Sequence, residues 1–217
     1  MQAVMGQVAL VTDGTSDLGA SRADRAMERY ASGDDEAFGE LYDELAPRLH
    51  RFALRWTRSR AAAEDAVQQT LLQMHAARDR FVRGGAVIPW AYAIARRLLI
   101  DLGRRRAREE LRDGDVRDPG EPAAAPSPEE ALDLRRAEAE GRRDLAYLPV
   151  AWRDAFELVK FEGLSVAEAA AVLGVTRAMV KIRTHRATAA LRAALARRFG
   201  AASDGTSRRP APHGRPT

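Results

Sequence analysis

Residues 165–187 read SVAEAAAVLGVTRAMVKIRTHRA and have the layout of two short helices joined by a tight turn. Ser165 and Thr176 are placed as N-caps, because their hydroxyls can accept from the free N–H groups of a first turn. Gly174 stands where the chain must reverse, and glycine takes positive φ at low cost. The second helix has an apolar stripe at helical spacing, formed by Val180, Thr184, Ala187, Leu191 and Leu195. This spacing predicts a helix-turn-helix.

The other side of the second helix is cationic, with Arg177, Lys181, Arg183, His185 and Arg186. Residues 169–203 contain seven Lys or Arg and no acid. A solvated helix usually mixes charges to gain i, i+4 pairs, so the omission of acids favours a polyanionic partner. The alternative is a plain helical hairpin with a solvated basic face. The charge pattern favours a recognition helix for the major groove of DNA.

The composition is typical of a helical protein without cysteine. The 217 residues are 6% aromatic and 30% charged, with a pI near 9.9, and period-two runs rich in Val, Ile and Thr are missing. The absence of Cys excludes disulfides and thiolate metal sites and is typical of a reducing cytoplasm. The N-terminus lacks the regions of a signal peptide, and no apolar run is long enough to span a bilayer. We therefore expect a cytoplasmic protein with no direct membrane insertion.

The chain is predicted to be all-α, with two small helical domains joined by a flexible acidic linker. The helix-turn-helix lies in the second domain. Residues 112–140 contain nine acids and four bases, a net charge of −5, and the first part of this stretch is rich in Pro and Gly. The predicted boundaries are a loose extension at 1–20, a first domain at 21–111, a linker at 112–128, a second domain at 129–199 and a disordered tail at 200–217.

The first domain is predicted to contain two long helices before residue 82. Apolar residues from Phe38 through Tyr42 to Trp56 predict a buried stripe, in a helix that Pro47 should kink or split. The next helix has a buried seam and, on its other faces, Asp65, Gln68, Gln69 and Leu72. An exposed Leu among polar residues indicates a docking surface. A solvated face with one stray apolar residue explains the pattern equally well.

A third helix is predicted from Pro89, with aromatic residues near its start and arginines along it. The set comprises Trp90, Tyr92, Arg96, Arg97, Arg104, Arg105 and Arg106. Rings that stack on bases, beside cations that follow phosphates, are what single-stranded nucleic acid requires. A core position is the alternative for Trp90. In the second domain, Pro149 is predicted to start a helix with Trp152, Phe156 and Val159 facing inward.

No catalytic or metal-binding pattern is present. The four histidines have no metal-ligand spacing, and the phosphate-binding glycine motifs and the nucleophile elbow are missing. Adjacent acids on a helix point to different faces. The sequence therefore predicts no catalytic residue, no metal and no cofactor.

The order of these parts resembles the extracytoplasmic-function (ECF) group of bacterial RNA polymerase sigma factors. The first stretch of sigma domain two is similar to DEAFGELYDELAPRLHRFA, and the helix that grips the coiled coil of the polymerase β′ subunit is similar to AEDAVQQTLLQMHAARDRF. The promoter-melting segment resembles IPWAYAIARRLLID. Sigma domain four resembles LPVAWRDAFELVKFEGLSVAEAAAVLGVTRAMVKIRTHRATAAL.

The resemblance implies a non-enzymatic initiation factor that binds core RNA polymerase, through its β′ and β subunits, and directs it to promoter DNA. It assigns polymerase binding to Asp65, Gln68, Gln69 and Leu72. It assigns the minus-ten element and its melting to Trp90, Tyr92, Arg96, Arg97, Arg104, Arg105 and Arg106, and we take the loop at 83–88 as the candidate for base capture. It assigns the minus-thirty-five element to Arg177, Lys181, Ile182, Arg183, His185 and Arg186.

The resemblance also implies a cognate anti-sigma factor, often membrane-linked, that occludes both surfaces. Ile182 and Thr184 depart from the family pattern, which predicts an unusual promoter sequence. Two other hypotheses remain open at this point. One is a stand-alone helix-turn-helix regulator that binds duplex DNA without polymerase, and the other is a helical adaptor whose basic faces bind acidic proteins.

Overall fold

A computed structural model describes residues 21–113, 144–145 and 147–203, and every regular element in these ranges is helical. The predicted N-terminal extension lies outside the described residues, as do most of the predicted linker and most of the predicted tail; the first two linker residues, 112 and 113, are the end of a helix. The first unit contains α1 (Arg22–Ala31), α2 (Ala37–Thr57), α3 (Arg60–Ala76), a 3-10 turn (Arg78–Arg80) and α4 (Val87–Asp113). The second contains α5 (Val150–Phe156), a π-helical turn (Glu157–Phe161), α6 (Val166–Leu173) and α7 (Arg177–Ser203).

The first unit is built around α2, whose apolar stripe lies in the core. Leu41, Leu45, Leu49 and Phe52 are each 1% exposed. The helix passes through Pro47 without a break, so the predicted split is wrong. Tyr42, which the stripe placed in the core, is 48% exposed, because it lies at the edge of the α2 face and not on it.

The helix-turn-helix formed by α6 and α7 has the predicted caps. Ser165 accepts from the Glu168 N–H, and the Glu168 carboxylate accepts from the Ser165 N–H, which completes a capping box. Gly174 takes φ 64°, and the Val175 N–H donates to the Ala170 carbonyl at 3.1 Å, as in a Schellman motif. The Met179 N–H donates to the Thr176 hydroxyl at 3.2 Å. These bonds fix the angle at which α7 leaves the turn.

The predicted inward face after Pro149 holds only in part. Val159, in the π-helical turn, is half-buried against the core, but Trp152 and Phe156 of α5 do not belong to the core. Asp154 and Glu157 are instead 1% and 2% exposed. The acids turn inward because the first unit presents arginines to them. The π-helical turn widens this segment, with the Glu162 N–H donating to the Glu157 carbonyl five residues back. The two units therefore pack directly against each other and share one core.

Candidate nucleic-acid and partner-binding surfaces

The recognition helix α7 has its predicted apolar face as far as Ala187, whereas Leu195, the last residue of the predicted stripe, is 43% exposed. Val180 and Ala187 are fully buried against the second unit. Arg177, Lys181, Ile182, His185 and Arg186 are exposed on the other side. The Arg186 guanidinium lies over the Trp152 ring, 5.7 Å from its centroid, and this cation–π contact holds it beside the helix. The outer face of α7 is thus a cationic surface that also carries two apolar residues, Met179 and Ile182, which are 41% and 46% exposed.

Two residues of α7 lie closer to the core than their neighbours. Arg183 is half-buried on the side that faces Asp154. The Thr184 hydroxyl donates to the Ala155 carbonyl at 3.4 Å, and Thr184 is half-buried. Thr184 therefore fixes α7 to α5 and does not reach the outer face. Thr184, which departs from the family pattern, therefore packs against α5. Ile182 is the departing residue that we expect to affect promoter choice.

The aromatic residues at the start of α4 do not form an exposed stacking surface. Trp90 is 7% exposed and packs on Phe81, with ring centroids 5.5 Å apart. Tyr92 is 1% exposed and meets Phe52 edge to face at 5.2 Å. The expectation that these rings are free to stack on bases does not hold in this conformation. The reason is that α4 contacts α1, α2, α3 and α6, so apolar residues all around its first turns are covered.

The arginines of α4 divide into two groups. Arg97, Arg104 and Arg105 are exposed, and Arg106 is half-buried. Among the described acids, Asp101 is the one that approaches Arg104, at 4.0 Å between Oδ1 and Nη1. Arg96 is different, because both its Nε and its Nη2 donate to Asp154 Oδ2, at 2.8 and 2.6 Å. The exposed arginines follow the C-terminal half of α4 as a second cationic surface.

The loop between the 3-10 turn and α4 is held to α1. The Gly84 N–H donates to Glu28 Oε1, and the Val87 N–H donates to Asp24 Oδ1, each at 2.8 Å. Asp24 also completes the capping box of α1 with Ser21, so one carboxylate supports two helix starts. The loop is therefore pre-organised against α1 at the start of α4, although its last two residues, 87 and 88, already belong to the helix.

An apolar groove runs between α2 and α3. It is lined by Phe38, Tyr42, Pro47, Leu71 and Leu72, among others. Leu72 is 52% exposed there, which is high for a leucine next to other apolar side chains. Gln68 also lines the groove, whereas Asp65 and Gln69 are exposed on α3 outside it. At one end, the Tyr30 hydroxyl and His75 Nδ1 share a hydrogen bond. The structure thus brings two of the four predicted polymerase-binding residues into one groove.

The contact between the two units is an ionic site that sequence reasoning missed. Asp154 binds Arg96, and Glu162 binds both Arg55 and the Tyr92 hydroxyl. Burial raises the pKa of Tyr92 to about 12, so the phenol keeps its proton and donates it to the carboxylate. Individual charges in a helix pattern do not reveal a partner 58 or 107 residues away, so no local signal identifies these pairs.

The Glu157 side chain is buried within this contact, where its ionised form is disfavoured. Burial raises its pKa to about 7, although Arg55 and Arg153 oppose the rise, and Asp154 adds to it. Its Oε2 lies 3.8 Å from Arg55 Nε and has no hydrogen-bond partner among the described residues. Since the ordinary value is 4.5, folding takes up a proton between about pH 4.5 and 7, and stability falls as pH rises through this range.

Glu157→Gln is therefore expected to stabilise the protein at pH 8 relative to the wild type, by up to about 3 kcal/mol, and to have little effect at pH 5. Urea unfolding of both proteins at the two pH values measures the difference. Glu40→Gln, which removes an exposed ion pair with Arg29, is the control. An equal difference at pH 5 and pH 8 would contradict the assignment.

No helix in the described ranges is long and apolar enough to cross a membrane.

Two family models match the chain in succession. Sigma-70 region 2 matches residues 41–109, and Sigma-70 region 4 matches residues 144–191. The sigma factor CarQ of Myxococcus xanthus is 32% identical over 166 residues, which cover 76% of this chain and 93% of CarQ. The ECF sigma factor SigF of Caulobacter vibrioides is 35% identical over 172 residues, covering 79% and 92%.

Two solved structures have a similar fold. One is CnrH in complex with the cytosolic domain of CnrY, with a TM-score of 0.63, 26% identity and coverage of 81% of this chain and 97% of CnrH. The other is the sigma factor RpoE of Bartonella quintana with the anti-sigma factor NepR, with a TM-score of 0.63, 29% identity and coverage of 73% and 96%.

Proposed function

The chain belongs to the ECF group of bacterial RNA polymerase sigma factors, which direct polymerase to promoters, and we propose that its two cationic surfaces and its groove divide this work among three sites. The observation that carries the proposal is the succession of region 2 and region 4 in one chain, each with an exposed basic helix. The hypothesis of a stand-alone regulator explains the presence of region 4 but gives region 2 no function. In this proposal the protein is a non-enzymatic factor, and the polymerase performs the chemistry in the cytoplasm.

The groove between α2 and α3 is the site for core polymerase in this proposal. Its apolar lining and the half-exposed Leu72 suit a helical coiled coil, such as that of the β′ subunit, laid along the groove. Gln68 at the groove and Asp65 and Gln69 beside it supply polar contacts at the rim.

The exposed face of α7 reads the minus-thirty-five element in the major groove. Arg177, Lys181 and Arg186 offer hydrogen bonds to phosphates and guanine edges, and His185 lies beside them. Ile182 offers no hydrogen bond, and an apolar side chain in the major groove favours the methyl group of thymine. Arg183 faces inward and has a supporting role in this arrangement.

The exposed arginines of α4 hold the opened strand near the minus-ten element. Arg97, Arg104 and Arg105 follow the phosphates, with Arg106 partly covered behind them. The pre-organised loop at 83–88 captures an unstacked base. Trp90 and Tyr92 support α4 from the core.

A cognate anti-sigma factor is part of the proposal, since RpoE of Bartonella quintana is seen with one. The groove and the cationic surfaces are the faces that it would have to cover. A membrane link of this partner is an expectation from the family resemblance.

Run-off transcription from genomic fragments tests the function. The expected result is a set of promoter-specific transcripts that require both core polymerase and this protein. Core polymerase alone is the control. Tight binding to duplex operators with no polymerase-dependent transcript would favour a stand-alone regulator, and weak DNA binding without salt dependence would favour an adaptor.

Lys181→Ala is expected to weaken the binding of holoenzyme to duplex minus-thirty-five DNA. Loss of a base contact should cost about 1–3 kcal/mol at one base pair, whereas loss of a phosphate contact should weaken all sequences equally and lower the salt slope by about 1. Fluorescence anisotropy at several salt concentrations separates the two. Arg197→Ala, at an exposed arginine about four and a half helical turns later, is the control. Equal effects of the two variants would contradict the placement of the reading face.

A further inference from the structure

We propose that Glu28 of α1 is a positioning residue for base capture, because it fixes the direction of one peptide group in the loop before α4. That peptide joins Arg83 to Gly84, and its direction decides which bases the loop accepts. In the proposed function, on which this inference rests, the loop at 83–88 captures an unstacked base. The direction of the peptide can be tested on the protein alone.

The loop is attached to α1 by a row of three polar side chains. Asp24, Glu28 and the C-cap Ser32 are spaced four residues apart, which places them on one side of the helix. Glu28 Oε1 accepts from the Gly84 N–H, and Asp24 Oδ1 accepts from the first N–H of α4, each at 2.8 Å. The Ser32 hydroxyl accepts from Arg83 Nη2 at 3.3 Å. The course of the loop is therefore fixed at three points.

The part of the loop that Glu28 holds is a type II β-turn from Val82 to Gly85. The Gly85 N–H donates to the Val82 carbonyl at 2.9 Å, which closes the turn. Gly84, at the third position, has a φ of 76°, whereas Arg83, at the second, does not take positive φ. Positive φ at the third position alone distinguishes type II from types I and I′, and glycine adopts it at low cost.

Glu28 selects this turn type through the central peptide. Types I and II differ by a rotation of that peptide of roughly half a turn, which exchanges the directions of its N–H and its C=O. In the observed turn the Gly84 N–H points to the Glu28 carboxylate, and the Arg83 carbonyl points the opposite way because the trans peptide is planar. Rotation of the peptide would break a charge-assisted hydrogen bond, so the carboxylate stabilises type II.

The direction of the peptide decides which hydrogen-bonding group the turn offers to a base. Arg83 and Gly84 are exposed, and the turn directs a carbonyl acceptor away from α1. Adenine and cytosine have an amino group on the edge where guanine and thymine have a carbonyl. Unstacked bases are recognised through such edges. An acceptor here therefore favours the two amino bases, whereas a rotated peptide would offer an N–H and favour the other two.

Both ends of the loop are held independently of Glu28. Before the turn, the Phe81 ring packs on the buried Trp90, with ring centroids 5.5 Å apart. After the turn, the Val87 N–H is bonded to Asp24. Loss of the Glu28 carboxylate should therefore release the central peptide while the loop stays in place, so the direction of the peptide and the folding of the loop can be measured separately.

Hydrogen exchange of two neighbouring amides, followed by NMR on the full chain, tests the positioning. Glu28→Ala should raise the exchange rate of the Gly84 amide at least about tenfold, because a charged hydrogen-bond partner is lost. The Gly85 amide should keep its rate, because both turn types retain its bond to Val82. Glu28→Gln, whose amide oxygen still accepts, should behave as the wild type. An unchanged Gly84 rate in Glu28→Ala, or an equal rise at both amides, would overturn the role of Glu28.

Short single strands of deoxycytidine and of deoxyuridine test the effect on base choice. The two bases are pyrimidines of the same size that carry an amino group and a carbonyl at the same position. The full-length wild type should bind the deoxycytidine strand about two- to tenfold more tightly in fluorescence anisotropy, which is the value of one hydrogen bond. Glu28→Ala should remove this preference and leave the affinity for deoxyuridine unchanged, since the exposed arginines of α4 still bind phosphates. Glu28→Gln should keep the preference. A merely structural role of Glu28 predicts an equal loss of affinity for both strands and would overturn the inference.

Gly84→Ala acts on the same peptide from within the turn, because alanine disfavours the φ of 76° that type II requires. It should also remove the preference for deoxycytidine. Gly163→Ala is the matched control, since Gly163 has a φ of 72° and an added Cβ meets no atom within 4 Å at either position. Both variants carry similar backbone strain, but Gly163 lies in the second unit before α6 and its variant should keep the preference. Loss of the preference in both variants, or in neither, would contradict the assignment.

Strand binding and transcription separate this inference from the proposed function. A protein with the expected exchange rates that binds neither strand and supports no run-off transcript would refute the proposed function, and base reading by the loop with it. A protein that yields promoter-specific transcripts but binds both strands with equal affinity would refute the inference alone.

Discussion

Leu72→Glu is expected to lower the affinity for core RNA polymerase at least about a hundredfold. Leu72 is 52% exposed beside Tyr42 in the groove between α2 and α3, so a docked helix would bury it. Burial of a leucine contributes about 1.5–3 kcal/mol, and a carboxylate buried without a partner adds a further cost. Fluorescence anisotropy of the labelled protein, titrated with core polymerase, measures the change.

Gln73→Glu is the matched control for this variant. Gln73 is exposed on the same helix, one residue later, and does not line the groove. It adds the same charge at nearly the same place, so a difference between the two variants reports the groove and not the net charge of α3. Equal losses of affinity in both would place the polymerase site elsewhere. Unchanged thermal unfolding of Leu72→Glu shows that the fold is intact, as expected for an exposed position.

The local parts of the fold were predictable because they depend on short-range chemistry. Ser165, Thr176 and Gly174 act through bonds to residues three to five positions away, and the structure confirms all three. The faces of α7 follow from a period of 3.6 residues in the same way. The stripe of α2 was right for its leucines and wrong for Tyr42, because a stripe marks the apolar face but not whether a neighbour covers its edge.

The contact between the units was not predictable, because it depends on which distant charges meet. Asp154 and Glu157 have the pattern of solvated acids, and only the arginines of α2 and α4 explain their burial. Trp90 and Tyr92 were placed on a DNA-binding surface because aromatics beside cations suit single strands. In the structure the exposed arginines lie further along α4. Trp90 and Tyr92 lie in the first turns of α4, which are buried in the core.

The double substitution Arg104→Ala with Arg105→Ala is expected to leave polymerase affinity unchanged and to reduce open complexes at least about tenfold. Both arginines are exposed on α4, away from the groove that holds Leu72, so the two functions should separate. Loss of two phosphate contacts to a single strand should also lower the salt slope by about 1.4. Permanganate reactivity of unpaired thymines measures the open complex. Arg22→Ala with Arg80→Ala removes the same charge from exposed positions on α1 and the 3-10 turn, and should leave melting unaffected. If the Arg104 and Arg105 variant loses polymerase binding together with melting, the exposed arginines of α4 belong to the docking surface, and strand capture must lie elsewhere.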